Sequence, residues 1–339
     1  MTRLTRRVVA ALGALVLATG VAAAQSKVKV SIAVGGAGCL CYLPTVLAKQ
    51  LGEYDKAGVD VELIDFKGGS QALQAVIGGS ADVVSGYYDH CVNLAAKGQA
   101  LQSFVIYDRY PGMVLAVSPE AKDIKSIKDL AGKAVGVSAP GSSTDFFLKY
   151  LLAKNGVDPN AVAVVGIGLA ATAVAAMEHG KVQAAVMLDP AATLMQNKFK
   201  ENFRLLSDTR TQKDTLDVFG GEYPGGALYT RTDWIQKNEA TVQKMTNAIM
   251  ATLKWIHSNT PEAIMAKMPA ELIGPDKELY LAALKNTIPM YSVNGLMDPK
   301  GAQAVLAVFS QSVPEIAKAN IDLSKTYTNR FVEAASKGM

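Results

Sequence analysis

Beyond its first two dozen residues, the sequence lacks any unbroken apolar run of the length a membrane-spanning helix needs. It also lacks short-period repeats and low-complexity linkers, so solenoid and fibrous classes are set aside. No Gly-x-Ser-x-Gly or comparable catalytic signature occurs, and a catalytic role is not expected. Excess positive charge is missing too. The formal charge of +4 includes Arg3, Arg6 and Arg7, and without those three it falls to +1. That leaves no electrostatic case for a nucleic-acid partner. Cysteine is scarce, at three residues, and none lies near residue 24, so a lipoprotein anchor is not supported.

What is present begins with an export signal. Arg3, Arg6 and Arg7 precede the apolar run Val8 to Val21, and Ala22-Ala23-Ala24 supplies the small-x-small pattern of a signal peptidase site. Residues 1–24 therefore read as a cleaved secretory signal, and the remainder as an exported, periplasmic protein. About 315 residues remain, enough for two lobes.

Those residues alternate strand-like and helix-like runs. Lys27–Val34 reads as a strand, and Leu43–Lys56 carries apolar residues at helical spacing. Val59–Phe66 alternates as a half-buried strand, Ser70–Ile77 opens a helix with Ser70 as its N-cap, and Ala81–Ser85 is a buried strand. The pattern restarts with strand Lys133–Ser138, helix Asp145–Asn155, strand Val162–Ile167, helix Ala170–Gly180 and strand Gln183–Leu188. From Glu239 the texture is helical, with Val242, Met245, Ile249, Leu253 and Ile256 forming a stripe read as core. Strand and helix at this rhythm predict an α/β protein with parallel sheets. In such sheets ligands sit outside the carboxyl ends of the strands, where helix N-termini point N–H groups into the crevice. Two such units facing each other describe a bilobal binding protein.

Four segments carry a resemblance, in order along the chain: "LAKQLGEYDKAGVDVELIDFKGGSQALQAVIGGSADVV", "SIKDLAGKAVGVSAPGSSTDFFLKYLLAKNGVDP", "AVAAMEHGKVQAAVMLDPAA" and "NIDLSKTYTNRFVEAA". Together they resemble the periplasmic solute-binding proteins of ABC importers, in the nitrate/sulfonate/taurine and thiamine-pyrimidine branch. The resemblance implies a Venus-flytrap fold, with lobe one at residues 25–117 plus 228–339 and lobe two at 118–227. The crossings would fall near Val117-Ser118 and Gly226-Ala227-Leu228. It implies a monomer that binds a small solute, needs no cofactor, and delivers its cargo to a permease in the inner membrane.

Carried over position by position, the resemblance puts ligand contacts at Cys41 and Tyr42 in the loop Gly38–Tyr42, at Ser70, and at Tyr87, Tyr88 and Asp89 on lobe one. On lobe two it puts them at Ser142, Ser143, Thr144 and Asp189. The candidate cleft segments contain no arginine, with only Lys67 near. The family favours a sulfonate or taurine-like solute. Asp89, Asp189 and the tyrosines favour an aromatic or pyrimidine-like one instead. Each residue also has an ordinary structural reading: Ser142 to Thr144 as helix caps, Asp189 before Pro190 as a turn, one tyrosine as core. His179 and His257 read as charges at helix C-termini.

Both cysteine-bearing loops would lie at the carboxyl edge of one sheet. In an oxidising compartment a disulfide between Cys91 and either Cys39 or Cys41 is expected. A soft-metal site from Cys39, Cys41, His90 and Cys91 is the weaker reading, because Cys-x-Cys is an uncommon zinc spacing.

Overall fold

The structure is a computed structural model that describes residues 27–338. The expected signal at 1–24 lies outside the described residues. Ten strands form two five-stranded sheets. They are β1 (Val28–Val34), β2 (Val59–Asp65), β3 (Val83–Tyr87), β4 (Leu101–Ile106), β5 (Val114–Val117), β6 (Ala134–Val137), β7 (Ala163–Gly166), β8 (Ala184–Met187), β9 (Arg204–Asp208) and β10 (Gly226–Arg231).

The strand orders are β2-β1-β3-β10-β4 and β7-β6-β8-β5-β9. The two sheets share one plan. Three parallel strands lead, then an antiparallel strand is inserted: β10 between β3 and β4, and β5 between β8 and β9. Each inserted strand lies next to a crossing between the lobes, so the chain exchanges one strand for another at the hinge. Apolar residues fill both sides of the inner parallel strands, while the edge strands β2 and β7 are partly exposed. Ile32, Ala33 and Val34 in β1 and Val83 and Val84 in β3 are fully buried, as sheets covered by helices on both faces require.

This exchange moves the crossings from where the sequence placed them. β5 belongs to the second sheet, so the first crossing runs through residues 107–113, ahead of Val117-Ser118. β10 belongs wholly to the first sheet, so the second crossing ends before Gly226. The strand-like run VLAV was too short to reveal its sheet by pattern.

The helices follow the sequence reading with local changes. Leu43–Lys56 is two helices, Leu43–Gln50 and Glu53–Lys56, because Gly52 adopts a φ of 70° between them. Ser70 is not an N-cap. Its helix starts one residue earlier, as Gly69–Ile77, with Gly68 in the capping position. Likewise Ser143–Lys154 begins two residues before the expected start.

The long helix Glu239–His257 buries its apolar stripe against Leu43–Gln50, Glu53–Lys56 and the final helix Arg330–Lys337. At roughly 1.5–3 kcal/mol per buried large aliphatic side chain, that stripe is a main anchor of lobe one. Two other C-terminal helices reach across. Pro299–Ser312 packs on Asp89–Ala95 of lobe one and on Ser143–Lys154 of lobe two, while Lys277–Thr287 touches Ala191–Phe199 of lobe two. Phe309 and Phe146 meet across this junction with ring centroids 4.8 Å apart.

Candidate functional site

The carboxyl ends of β1, β3, β6 and β8 deliver their loops to the seam between the lobes. Glycine permits the approach. A side chain on Gly68 would come within 3.1 Å of the Ala139 amide and the Ser138 hydroxyl in the opposite lobe. With bare backbone there, the starts of Gly69–Ile77 and Ser143–Lys154 confront each other.

Hydrogen bonds join them directly. The Ser70 amide donates to Ser142 Oγ at 2.9 Å, and Ser142 Oγ donates to Ser70 Oγ at 3.1 Å. Ser143 Oγ donates to Asp89 Oδ1 at 2.7 Å. Tyr223, from the second crossing, donates to Asp89 Oδ2 at 3.1 Å. Asp89 is thus held by lobe two and by a crossing while its own backbone belongs to lobe one. Thr144 turns into its own lobe, accepting from the Ser138 amide at 3.0 Å.

A cavity of about 10 Å³ lies in this seam, lined among others by Cys41, Tyr42, Tyr87, Ser142, Ser143 and Thr144. Tyr42 and Tyr87 stand edge to face at 6.1 Å, and the Tyr87 hydroxyl donates to the Pro111 carbonyl at 2.6 Å. Six of the ten expected contact residues therefore line one cavity, three from each lobe, and Ser70 and Asp89 reach it through hydrogen bonds to Ser142 and Ser143.

Two expected residues stand elsewhere. Tyr88 is fully buried in lobe one, its hydroxyl paired with Thr326 at 2.5 Å and its ring against Tyr327, which excludes it from the seam. It follows Tyr87 directly, and the side chains of neighbouring residues diverge as β3 gives way to the helix Asp89–Ala95. Asp189 caps the helix Ala191–Phe199 by accepting from Thr193 N at 2.9 Å and Thr193 Oγ1 at 2.7 Å. Its link to the other lobe is the backbone, whose carbonyl accepts from the Leu40 amide at 2.9 Å.

The thiols also differ from expectation. Cys39 and Cys41 are bonded to each other, with Cα atoms 5.1 Å apart, and Cys91 is a free buried thiol. The expected pairing of Cys91 with one of them does not occur. Cys91 lies inside lobe one beside the β4 backbone at Ser103, and burial pushes its thiol well above the ordinary range. Among the described residues, no group of three His, Cys, Asp or Glu side chains is placed to hold a metal ion.

Burial sets the electrostatics. It pushes Asp89 up to about 6, against the opposing hydrogen bonds from Ser143 and Tyr223. It also pushes His90 down to about 4; the His90 Nδ1 pairs with the Tyr229 hydroxyl at 2.6 Å, and its ring meets Phe146 of lobe two edge-on. Asp189 is raised by burial as well. No Lys or Arg side chain lines the small cavity. Arg210, near Asp189, is committed to Asp208 at 2.7 Å.

Sequence reasoning missed Asp108, Tyr223 and Tyr229. Asp108 lies in the first crossing, fully buried, its pKa driven well up by burial. Its carboxylate accepts from the Gly226 amide at 3.1 Å, and its backbone exchanges bonds with Gly225 and Gly226. The two crossings are therefore fastened to each other at this residue. The Gly225-Gly226 pair was the available signal, since a side chain on Gly226 would strike the Tyr107 ring and the Asp108 carboxylate.

The family profile described as NMT1/THI5 like matches residues 42–263. A solved structure from Bordetella bronchiseptica RB50 is 37% identical, covers 92% of this chain and 98% of that chain, and superposes with a TM-score of 0.88. The alkanesulfonate-binding protein SsuA from Xanthomonas axonopodis pv. citri, solved bound to MOPS, is 18% identical with a TM-score of 0.70, covering 90% of this chain and 100% of its own; that likeness is one of fold. The nitrate/nitrite binding protein NrtA of Nostoc sp. is 24% identical over 251 residues, which are 66% of this chain and 53% of that protein. The chain thus spans about half the length of that curated relative. The chain belongs to the NMT1/THI5-like family and has the two-lobed fold of the periplasmic binding proteins.

Proposed function

We propose that the protein is the extracytoplasmic solute-binding component of an ABC importer. It is exported by the signal at 1–24, works as a monomer, captures a small organic solute between its lobes and presents the closed form to a permease. The observation that carries this reading is the seam itself. Ser70, Tyr42, Tyr87 and Asp89 on one lobe meet Ser142 and Ser143 on the other, so a solute held there would be gripped from both sides. The present cavity admits about one water, so the lobes must part to admit a solute. Binding then stabilises closure by replacing direct lobe-to-lobe hydrogen bonds with bridges through the ligand.

The side chains favour an aromatic or pyrimidine-like solute with N–H donors. Asp89 is a buried acceptor, Tyr42 and Tyr87 offer ring faces, and no cationic side chain lines the cavity. A sulfonate or taurine-like solute is the second reading. Its support is the pair of helix starts at Gly69 and Ser143, whose amides and hydroxyls suit an anion, and the alkanesulfonate-binding protein of the same fold. A thermal-shift screen over aminopyrimidines, aromatic carboxylates, taurine, alkanesulfonates and nitrate tests both. A bound solute raises the melting temperature by mass action. Stabilisation by sulfonates alone would reverse the preference, and turnover of a hit would overturn the binding-protein reading.

A further inference from the structure

The Cys39–Cys41 bond encloses a contact between the lobes. Leu40, the residue between the two cysteines, donates its amide to the Asp189 carbonyl of lobe two at 2.9 Å. Among the described residues, this is the one backbone-to-backbone hydrogen bond that joins the lobes outside the crossings. The Leu40 carbonyl accepts from the Tyr291 hydroxyl at 2.8 Å, so both backbone groups of this residue are committed. Cys41 lines both small cavities between the lobes, each about 10 Å³, and Tyr42 lines one of them.

The bond spans three residues, and closing so short a loop removes little entropy from the unfolded chain. Its effect is therefore local: it fixes the direction in which Leu40 presents its amide. Cys39 Sγ accepts from the Cys41 amide at 3.2 Å, and the Cys39 carbonyl accepts from the Tyr42 amide at 3.1 Å, which tightens the turn further. With the bond broken, two thiols retreat to van der Waals distance, and Leu40 between them turns.

Access to the sulfurs depends on the lobes. Cys39 and Cys41 are each 2% exposed, and Leu188, Asp189 and Arg210 of lobe two help to enclose Cys41. A reductant reaches the pair when the lobes part.

We propose that the Cys39–Cys41 pair is a redox switch on lobe closure. Oxidised, it holds Leu40 against Asp189; reduced, it lets the loop relax and favours the open form. The reductant is a dithiol. Its thiolate attacks one sulfur, the bond between Cys39 and Cys41 breaks, and a mixed disulfide forms, which the second thiol of the reductant displaces. Two electrons pass to the pair, two protons end on the Cys39 and Cys41 thiols, and the reductant leaves as its own disulfide. Coupling is reciprocal, so whatever closes the lobes also protects the bond. The switch rests on the reading that the lobes part and close, not on the identity of any solute.

The test is hydrogen exchange read by mass spectrometry on the purified mature protein, oxidised and after reduction with dithiothreitol. The Cys39→Ser, Cys41→Ser double variant reproduces the reduced state whether or not the reductant gains entry. Exchange at the Leu40 amide should be at least tenfold faster in the reduced and variant forms, while β3 and the helix Glu239–His257 exchange as before. Small-angle scattering should show a larger radius of gyration for both forms, and reoxidation of the reduced protein should reverse both changes. Equal Leu40 exchange in the variant and the oxidised wild type overturns the switch. Faster exchange throughout the chain also overturns it, since the bond would then be a global staple. Faster Leu40 exchange at an unchanged radius does so too, because the loop would loosen without releasing the lobes. Each of these failures leaves the seam reading standing, since the solute screen tests that separately.

Discussion

Ser143 and Asp89 lie on opposite lobes and meet through a 2.7 Å hydrogen bond, with Tyr223 from the crossing on the other carboxylate oxygen. A fully buried carboxylate therefore reports directly on whether the lobes are together. Asp89→Asn keeps the shape and weakens the acceptor. Hydrogen bonds to charged groups are worth about 1.5–3 kcal/mol, so this change should favour lobe opening by a comparable amount. Small-angle scattering should show a larger radius of gyration for Asp89→Asn than for wild type. An identical radius would show that Asp89 does not hold closure.

Asp89 and the adjacent His90 pull the pH dependence in opposite directions. Burial raises Asp89 to about 6, so between its ordinary value and 6 the folded chain holds the extra proton, and stability falls as pH rises. Burial lowers His90 to about 4, so from about 4 to 6.5 the unfolded chain holds the extra proton, and stability rises with pH. Each slope approaches about 1.4 kcal/mol per pH unit, and the two largely cancel. In Asp89→Asn only the His90 slope survives. The difference in melting temperature between variant and wild type should widen in the variant's favour from pH 4.5 to 6. A constant difference would contradict the raised pKa of Asp89, whose slope is the one the substitution removes.

Ala170 holds a φ of 52° and ψ of −127°, a conformation suited to glycine, where the loop after β7 meets Gly38 of lobe one. Ala170→Gly should stabilise the protein by about 1 kcal/mol, since the relieved strain exceeds the added entropy of the unfolded chain. Denaturant titration reads this as a higher midpoint at unchanged slope. A lower midpoint would mean the strain is absent.

The hinge fastening makes Gly226 intolerant. In Gly226→Ala the new methyl would meet the Tyr107 ring and the Asp108 carboxylate, both fully buried. A loss of more than about 2 kcal/mol is expected by denaturant titration, because neither neighbour has room to move.

Thiol labelling checks the cysteine assignment. One thiol per chain should react, only after unfolding, and peptide mapping should place it at Cys91. Labelling at Cys39 or Cys41 without reductant would contradict the Cys39–Cys41 bond.

Much of this was legible in the sequence, for identifiable reasons. Buried parallel strands such as AAVM read as continuous apolar runs, and the Glu239–His257 stripe reads at helical spacing, so the α/β class and the anchor of lobe one were both visible. Gly68-Gly69 and Ser142-Ser143 announced where loops approach the seam. What stayed hidden depends on direction and partnership. Tyr87 and Tyr88 are adjacent, yet one faces the seam and the other the core. Asp189 could cap or bind, and only the position of Thr193 decides. Asp108 and Gly226 are 118 residues apart, and nothing local reveals that they meet.

The most direct test of the account is calorimetric titration of the best solute from the screen into the Asp89→Asn, Ser143→Ala double variant. The account expects affinity at least about thirtyfold weaker than wild type, from the loss of contacts on both sides of the seam. Wild-type affinity in the double variant would place the solute somewhere other than between these two residues.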